Sequence, residues 1–341
     1  MFRASLLATA AIVASAPLSA VANDNHGGDR GHHDALTYAV IGDIPYGQPA
    51  VDAFPAHISQ INADPQVRRV LHLGDIKNGS SLCDTSYFEL IRSDFDGFDD
   101  PFVYTPGDNE WTDCHRANNG GYVPTERLAE VRRIFFDNPG RTLGRHARRV
   151  DSQSAAFPEN VRWDEGGVTF GMLNVPGSNN DLLPWFGTAE TPQQQQDQAN
   201  EYATRNAADL AWLKRIFGEA REQDAAAVVL GIQADMWDPA ITGDPAQYSG
   251  FTDFVRELAR QATRFRGPVL LLNGDSHVYE ADRPLADPAA TNNTIYGVGY
   301  AVPNLQRVTV DGSNNANDYL RLHIDSRTRG VFSWERVAYT P

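Results

Sequence analysis

Near-continuous apolar runs alternate with segments in which apolar residues recur at helical spacing. The apolar runs have the length of strands buried on both faces, and they cover residues 36–42, 69–73, 102–105, 226–232 and 269–272. Residues 167–175, in which apolar residues alternate, predict a further strand. The segments with helical spacing predict helices, and they cover residues 50–63, 86–93, 124–136, 193–217 and 251–265. Shorter runs predict further strands at 294–298, 306–310, 319–324 and 331–337. This alternation predicts an α/β fold, and we expect a single domain over residues 36–341.

Four of the apolar runs end at the same dipeptide, Gly-Asp. The aspartates concerned are Asp43, Asp75, Asp108 and Asp275. A buried strand followed by a tight glycine turn delivers the next side chain to the carboxyl end of the strand, where open α/β sheets bind ligands. Carboxylates gathered at one edge repel one another unless cations lie between them. The sequence therefore predicts a metal site built from these four aspartates.

Two further side chains are placed to join these carboxylates. His277 follows Asp275 by two residues, and Gln233 ends the apolar run at 226–232. An imidazole among carboxylates suits Mn, Fe or Zn, whereas a ligand set made mostly of oxygen favours Mg, Mn or Ca. We therefore expect one or two divalent metal ions, and the ligand set does not distinguish between these five metals.

The order of these motifs resembles that of the calcineurin-like metallophosphoesterases. That family carries Asp-x-His, Gly-Asp, Gly-Asn-His-Glu or Gly-Asn-His-Asp, a single His, and then Gly-His-x-His. This chain carries Gly-Asp, Gly-Asp, Gly-Asp-Asn-Glu, a polar residue after a buried run, and then Gly-Asp-Ser-His, between about residue 36 and the C-terminus. The resemblance implies a four-layer sandwich, in which two mixed β-sheets pack face to face and are flanked by helices. It also implies hydrolysis of a small phosphate ester by a metal-bound hydroxide that attacks phosphorus.

Three residues of this chain match metal-ligand positions of the family's pattern. Asp43 matches a ligand of one metal, and His277 matches the second ligand of that metal. Asp75 matches the carboxylate that bridges both metals. The resemblance therefore implies that Asp75 is the central ligand.

Other positions depart from the family's pattern. Asp108 stands where the family has a metal-binding Asn, and Gln233 and Asp275 stand where it has His ligands. Pro45 stands where the first motif has a His, and a proline side chain cannot bind a metal. The resemblance thus implies a metal site with harder ligands than the family usually has.

Three residues are the candidates for a catalytic role. Asn109 stands where the family has the His that assists phosphate binding and protonates the leaving group, and Glu110 matches the acidic residue that orients that His. An amide can donate a hydrogen bond to a phosphoryl oxygen, but it cannot transfer a proton. His115, six residues after Asn109, is therefore the candidate general acid.

Several nearby residues have two interpretations that the sequence leaves open. Tyr46 could offer a phenolate oxygen or could be a packed aromatic, and Lys77 could supply a fixed positive charge or could be an exposed loop residue. Asn174, Asn179 and Asn180 could donate hydrogen bonds to a substrate or could simply form a turn.

Two alternative functions compete with the hydrolase. The departures at Pro45, Asn109 and Gln233 allow a degenerate relative that binds a metal or ligand without turnover. The sequence Gly-Asp-Ser ending at Ser276 resembles the start of certain serine esterases, with Ser276 as the nucleophile. Those enzymes carry this motif near the N-terminus and an Asp-x-x-His near the end, and this chain has neither feature, which disfavours the esterase.

The N-terminal residues and the two cysteines indicate export. Residues 1–22 combine Arg3, a short apolar stretch and a small-residue cleavage site at Ala22, which predicts a signal peptide followed by a flexible leader at 23–35. We therefore expect a periplasmic or secreted protein. Cys83 and Cys114 are expected to form a disulfide, since an even cysteine count in an oxidising compartment favours pairing.

Charge and hydropathy limit the range of partners. The formal net charge of −15 argues against non-specific binding of nucleic acid. After the first residues, no run of eighteen apolar residues predicts insertion into a membrane. We expect a small phosphorylated substrate as the partner, and the sequence does not indicate the oligomeric state.

Overall fold

A computed structural model describes residues 35–238, 240, 241 and 243–340 of the chain. The signal peptide predicted at 1–22 and the leader predicted at 23–35, except for Ala35, lie outside the described residues. The described residues belong to one compact unit, His33–Pro341. None of the described helices combines the length and apolar composition that a membrane span requires.

The elements alternate between strand and helix in the first part of the chain. The strands are β1 Leu36–Ile41, β2 Arg69–His72, β3 Phe102–Tyr104, β4 Asp151–Ser154, β5 Phe157–Glu165, β6 Val168–Met172, β7 Ala227–Gly231, β8 Val269–Asn273, β9 Glu280–Asp282, β10 Leu305–Thr309, β11 Asp318–Asp325 and β12 Val331–Ala338. The helices are α1 Gln48–Asn62, α2 Thr85–Phe95, α3 Pro124–Phe135, α4 Gly177–Asp181, α5 Pro192–Glu222, α6 Pro245–Tyr248, α7 Thr252–Phe265 and α8 Thr291–Thr294. The five predicted helices are confirmed as α1, α2, α3, α5 and α7.

The strands form two mixed sheets. The five-stranded sheet has the order β12-β11-β1-β2-β3, and the seven-stranded sheet has the order β4-β5-β6-β7-β8-β10-β9. In the first sheet β1, β2 and β3 are parallel, whereas β11 pairs antiparallel with β1 and β12. In the second sheet β6, β7, β8 and β10 are parallel, and the outer strands pair antiparallel.

Alternate residues of the central strands point into different hydrophobic cores, because side chains of a strand alternate between the two faces of its sheet. In β1, Tyr38 and Val40 belong to the core between the two sheets. Ala39 and Ile41 belong to a second core, which α1, α2 and α3 cover. A third core lies between the seven-stranded sheet and helices α5 and α7. The two sheets therefore pack face to face with helices outside, and the predicted four-layer sandwich is confirmed.

The carboxyl ends of the parallel strands from both sheets meet at one edge. The Asp43 backbone N–H donates to the Gly74 carbonyl at 2.9 Å, which links the ends of β1 and β2. The Gly274 backbone N–H donates to the Gln233 carbonyl at 3.0 Å, which links the ends of β7 and β8. A Cβ placed on Gly74 would lie 2.7 Å from the Gln233 side chain, so the two pairs of strand ends are in contact with each other.

Three parts of the strand prediction differ from the structure, and one of them is the short strand β9, which was not predicted. The strand predicted at 294–298 is wrong, because the chain forms α8 and then turns through Gly297 and Gly299, whose φ angles of 61° and 75° are incompatible with an extended strand. The hairpin of β4 and β5 was not predicted. Polar residues interrupt its apolar pattern, and they are buried with distant partners: Glu159 accepts from Arg132, and Asn160 donates to Asp209.

Candidate metal centre

The four strand ends bring their aspartates together with His277 in two overlapping groups. Ligand atoms of Asp43, Asp75 and His277 lie within 4.8 Å of one another, and so do those of Asp75, Asp108 and Asp275. Asp75 belongs to both groups and is only 1% exposed. The aspartates that the Gly-Asp pattern singled out thus form one cluster.

The backbone at these positions is strained. Asp43, Asp75, Asp275 and His277 have φ angles of 54°, 57°, 76° and 63°, in the left-handed region. This conformation costs a residue with a side chain about 1 kcal/mol. Strain of this kind persists where the surrounding structure enforces it, and it concentrates at functional sites.

The glycine of one motif makes room for the aspartate of another. A Cβ on Gly274 would lie 2.2 Å from Asp43 Oδ2, a distance that no side chain could tolerate. The Asp275 backbone N–H donates to both carboxylate oxygens of Asp43, at 3.0 and 3.1 Å. The glycine of the Gly-Asp dipeptide therefore has two roles. It allows the tight turn after its own strand, and its lack of a side chain lets the carboxylate of another motif pack against the backbone.

The carboxylates repel one another in a buried environment. Burial raises the pKa values of Asp43, Asp75 and Asp275 well above the usual range, and the charge of Asp108 raises them further. Among the described residues, no lysine or arginine side chain forms an ion pair or hydrogen bond with any of these four aspartates. A set of four carboxylates and one imidazole with no directly paired basic side chain fits divalent cations.

Asp108 is held by two neutral donors. Ser178 Oγ donates to Asp108 Oδ2 at 2.8 Å, and Gln233 Nε2 donates to Asp108 Oδ1 at 3.1 Å. The Gly177 backbone N–H donates to Gln233 Oε1, which fixes the orientation of the amide because a backbone N–H can only donate. Gln233 therefore presents its NH₂ group to the cluster, and the ligand role predicted for it stays a prediction.

Asn109 and Tyr46 contact the shared carboxylate. Asn109 Nδ2 donates to Asp75 Oδ2 at 2.6 Å and to the Tyr46 hydroxyl at 2.8 Å. The Tyr46 hydroxyl donates in turn to Asp75 Oδ2 at 2.9 Å, and its ring meets His277 edge to face at 5.3 Å. Burial, followed by the charge of Asp75, raises the pKa of Tyr46 well above 10, so the phenol is protonated and acts as a donor.

Glu110 supports the loops, and among the described residues its side chain forms no hydrogen bond with that of Asn109. It is fully buried, and it accepts the backbone N–H groups of Asp75 and Gly107 at 3.1 and 2.6 Å. It also accepts the Tyr104 hydroxyl at 2.6 Å. These bonds fix the two loops that carry Asp75 and Asp108.

Two other candidates from the sequence, His115 and Lys77, do not line the cleft beside the cluster. His115 Nδ1 lies 2.6 Å from the Thr112 carbonyl and its ring contacts Phe186, so the imidazole does not line the cleft. Lys77 is buried, and its Nζ donates to the carbonyls of Asn78 and Asn109. Burial lowers the pKa of Lys77 to about 8.

The three asparagines after β6 have structural roles. Asn179 bonds the backbone N–H of Gly250, and Asn180 bonds the Gly250 carbonyl. Asn174 is fully buried and donates to Glu159. The turn interpretation therefore describes these residues, whereas Ser178 in the same segment contacts Asp108.

The cluster opens into a polar cleft of about 360 Å³. The residues that line it are Tyr46, Asp75, Asn78, Gly79, Asp108, Asn109, Asp113, Arg116, Asp275, His277 and Ser313. The predicted disulfide is confirmed, since Cys83 and Cys114 are bonded with a Cα–Cα distance of 5.8 Å. It joins the loop that carries Asn78 to the loop that carries Arg116.

Ser178, Asp113 and Arg116 are not among the site residues predicted from the sequence. Ser178 lies in α4, where the φ angles of residues 178–180 are between 50° and 56°, so this turn is left-handed. The asparagines of this segment allow a turn, but no local pattern indicates that its serine contacts Asp108. Arg116 follows the predicted His115 directly, and only the course of the loop places one of them in the cleft and the other outside it.

Comparisons with known proteins give distant similarities in structure alone. No protein-family model matches the chain, and no curated protein matches its sequence. GAP50, the anchor in the inner membrane complex of Plasmodium, aligns over 90% of this chain and 90% of its own, with 9% identity and a TM-score of 0.44. Purple acid phosphatase PPD1 from yellow lupin (Lupinus luteus) seeds aligns over 89% of this chain, with 10% identity and a TM-score of 0.46. The aligned part is 54% of the lupin chain. Structural similarities with TM-scores below 0.5 carry no information about the chemistry of this chain.

Proposed function

We propose that this chain is a metal-dependent hydrolase of small phosphate esters that acts outside the cytoplasm. The observation that carries the proposal is that Asp75 belongs to two groups of ligand atoms, each within 4.8 Å. A carboxylate shared in this way suits two cations that act together on one phosphate group. The disulfide between Cys83 and Cys114 supports export, because such bonds persist in oxidising compartments.

The two groups divide the ligands between two cations. Asp43, Asp75 and His277 would hold one cation, and Asp75, Asp108 and Asp275 would hold the other. Divalent cations bound there would supply Lewis acidity, which polarises a phosphoryl oxygen and lowers the pKa of water. The oxygen-rich set admits Mg, Mn or Ca, and His277 also admits Fe or Zn.

The residues around the ligands would hold them in position. Asn109 and Tyr46 both donate to Asp75 Oδ2, and Ser178 donates to Asp108 Oδ2. Hydrogen bonds of this kind fix the orientation of ligating carboxylates, and their loss typically lowers metal affinity or activity about 10- to 100-fold. The amide of Asn109 faces the cleft and could donate to a phosphoryl oxygen only by giving up one of these bonds.

The cleft suits a small and polar substrate. Its volume is about 360 Å³, and Tyr46 is the only aromatic residue among its lining residues in the described part of the chain. A large apolar leaving group would find no matching surface there, because apolar ligands are recognised by apolar and aromatic walls.

The test is the variant Asp75→Asn, which keeps the shape of the side chain and removes its charge. We expect the variant to lose bound cations in elemental analysis. Its turnover of nitrophenyl phosphate mono- and diesters should fall below about one thousandth of the parent's rate, assayed with Mg, Mn, Ca, Zn and Fe. The matched control is Asp137→Asn, which makes the same change at a side chain that is 59% exposed. Parental turnover by the Asp75 variant would refute the proposal.

A binding protein without turnover is the second candidate. Asn109 stands where the family resemblance expects an imidazole, and its amide cannot transfer a proton, while His115 is not among the residues that line the cleft. Two bound cations with no turnover on any ester would support this candidate. Turnover with any of the five metals would remove it.

A further inference from the structure

Arg116 brings a positive charge to the cleft of a strongly acidic site. It follows a short helical turn, Thr112–His115, and its Nη1 lies 2.7 Å from Asp113 Oδ2. The Arg116 side chain is 40% exposed, whereas that of Asp113 is 3% exposed. The ion pair therefore anchors one end of the guanidinium and leaves the rest in the cleft.

The remaining donors of Arg116 are its Nε and Nη2 groups. Among the described residues, Nε and Nη2 make no hydrogen bond, and Arg116 is the only arginine or lysine that lines the cleft. Lys77 offers no substitute, because its Nζ donates to two backbone carbonyls. A guanidinium with free N–H groups is suited to bind oxygens of a phosphate group.

Contacts tie Arg116 to the metal centre. Ser178 Oγ lies 2.8 Å from Asp113 Oδ1 and 2.8 Å from Asp108 Oδ2, so a single hydroxyl group lies between the ion pair and a predicted ligand. A Cβ on Gly79 would lie 3.2 Å from Arg116 Nη1 and 2.9 Å from Asn109 Oδ1. Arg116 and Asn109 therefore border the same side of the cleft.

We propose that Arg116 binds a terminal oxygen of the substrate's phosphate group and makes the site selective for phosphate monoesters over diesters. This inference rests on the proposed function. A monoester dianion carries three terminal oxygens and about two negative charges, and the guanidinium fork can take up an oxygen that the cations leave free. A diester replaces one terminal oxygen by an ester link and carries a single charge, so it gains less from the same arginine.

The experiment compares two substrates in the metal-loaded protein. We expect Arg116→Gln to lower kcat/KM for p-nitrophenyl phosphate by about 10- to 100-fold, and to change kcat/KM for bis(p-nitrophenyl) phosphate by less than about threefold. Arg116→Lys keeps the charge without the fork, and its loss on the monoester should be intermediate. Equal losses on both substrates, or no loss on the monoester, would overturn the inference.

Two controls separate recognition of phosphate from damage to the site. The matched control is Arg145→Gln, because Arg145 is paired with Asp99 at 2.6 Å and is 60% exposed outside the cleft. The double variant Arg116→Gln, Asp113→Asn removes the ion pair without leaving a buried charge unpaired. It should keep the low monoester activity of the single variant, and a return to the parent's activity would show that Asp113 caused the loss and would overturn the inference.

The failure of this inference is distinguishable from that of the proposed function. If the parent hydrolyses neither ester with any cation, the proposed function fails, and binding of inorganic phosphate to the cation-loaded protein is measured by calorimetry instead. Weaker binding of phosphate by Arg116→Gln than by the parent would still support the assignment of Arg116. Equal binding, or no binding by the parent, would overturn it.

Discussion

Gly107 lies so close to Asp75 that no side chain fits between them. A Cβ on Gly107 would lie 2.0 Å from Asp75 Oδ1 and 2.5 Å from the Asp75 backbone nitrogen. The φ angle of Gly107 is not in the left-handed region, so this glycine is required for space and not for its backbone conformation. Gly107, which precedes Asp108 in the chain, therefore constrains the position of Asp75, which belongs to another Gly-Asp motif.

The variant Gly107→Ala should therefore displace the shared carboxylate. The nearest atoms include backbone, which cannot move aside as the end of a flexible side chain can. We expect the free energy of unfolding to fall by about 1 to 3 kcal/mol, as for other overpacked sites. Bound cations and phosphatase activity should be lost together, and urea unfolding with elemental analysis would measure both.

Gly218→Ala is the matched control for this change. Gly218 lies within α5, and a Cβ there would have no atom within 4 Å. Alanine at an open position inside a helix should raise the free energy of unfolding by about 0.5 to 1 kcal/mol. If Gly107→Ala kept the parent's cation content and activity, the steric role given to Gly107 would be wrong.

His72 connects the end of β2 to the loop after β1 through its neutral ring. Its Nε2 lies 2.9 Å from the Ile44 carbonyl, and the Gly74 backbone N–H donates to its Nδ1 at 3.2 Å. Nε2 therefore carries the hydrogen, and protonation of Nδ1 would set two hydrogens against each other. Burial lowers the pKa of His72 to about 4.

This shift predicts a loss of stability in mild acid. Between about pH 6.5 and pH 4 the unfolded state binds a proton at His72 and the folded state does not, so the free energy of unfolding falls as the pH falls. The contribution of His72 to this loss should approach about 3 kcal/mol at pH 4. Urea unfolding of the parent and of His72→Gln across this range, with chelator present, would measure it as the difference between the two profiles.

The comparison with His72→Gln cancels the other titrating groups. Glutamine does not titrate, and its amide can still donate to the Ile44 carbonyl. The two profiles should run parallel above pH 7 and diverge below pH 6.5. Profiles that stay parallel down to pH 4 would show that His72 is not held neutral in the folded protein.

The sequence allowed the core of the site to be predicted because its residues follow a local rule. Asp43, Asp75, Asp108 and Asp275 each follow a glycine at the end of an apolar run, and parallel strands bring such positions to one edge. The central strands were also predictable, since both of their faces are buried and their apolar runs are nearly continuous.

The supporting residues follow no local rule. Ser178 is 70 residues from Asp108 in the chain, and Gln233 is 125 residues away. Their hydrogen bonds depend on where a left-handed turn and the end of β7 come to lie after folding. His115 illustrates the same limit, because its residue type suited a general acid while the course of its loop turned it toward Phe186.

Gln233 has two possible roles, a hydrogen-bond donor to Asp108 and the metal ligand that the motif order predicts. Its Nε2 donates to Asp108, and its Oε1 accepts the backbone N–H of Gly177. Ser178 provides Asp108 with a second hydrogen bond. Gln233→Met keeps the length of the side chain and removes both bonds. We expect the free energy of unfolding, measured with chelator present, to fall by about 2 to 4 kcal/mol, because a buried N–H and a buried carboxylate each lose a partner.

The number of bound cations distinguishes the two roles of Gln233. If the amide is only a donor, Gln233→Met should bind as many cations per chain as the parent, because all the carboxylates and His277 remain. If Gln233 is a ligand, as its place in the motif order predicts, the variant should bind fewer. The matched control is Gln48→Met, which removes an amide donor from the exposed carboxylate of Asp52 and should cost about 0.5 kcal/mol or less. A loss of stability no larger than this control's would show that the bond from Gln233 to Asp108 contributes little.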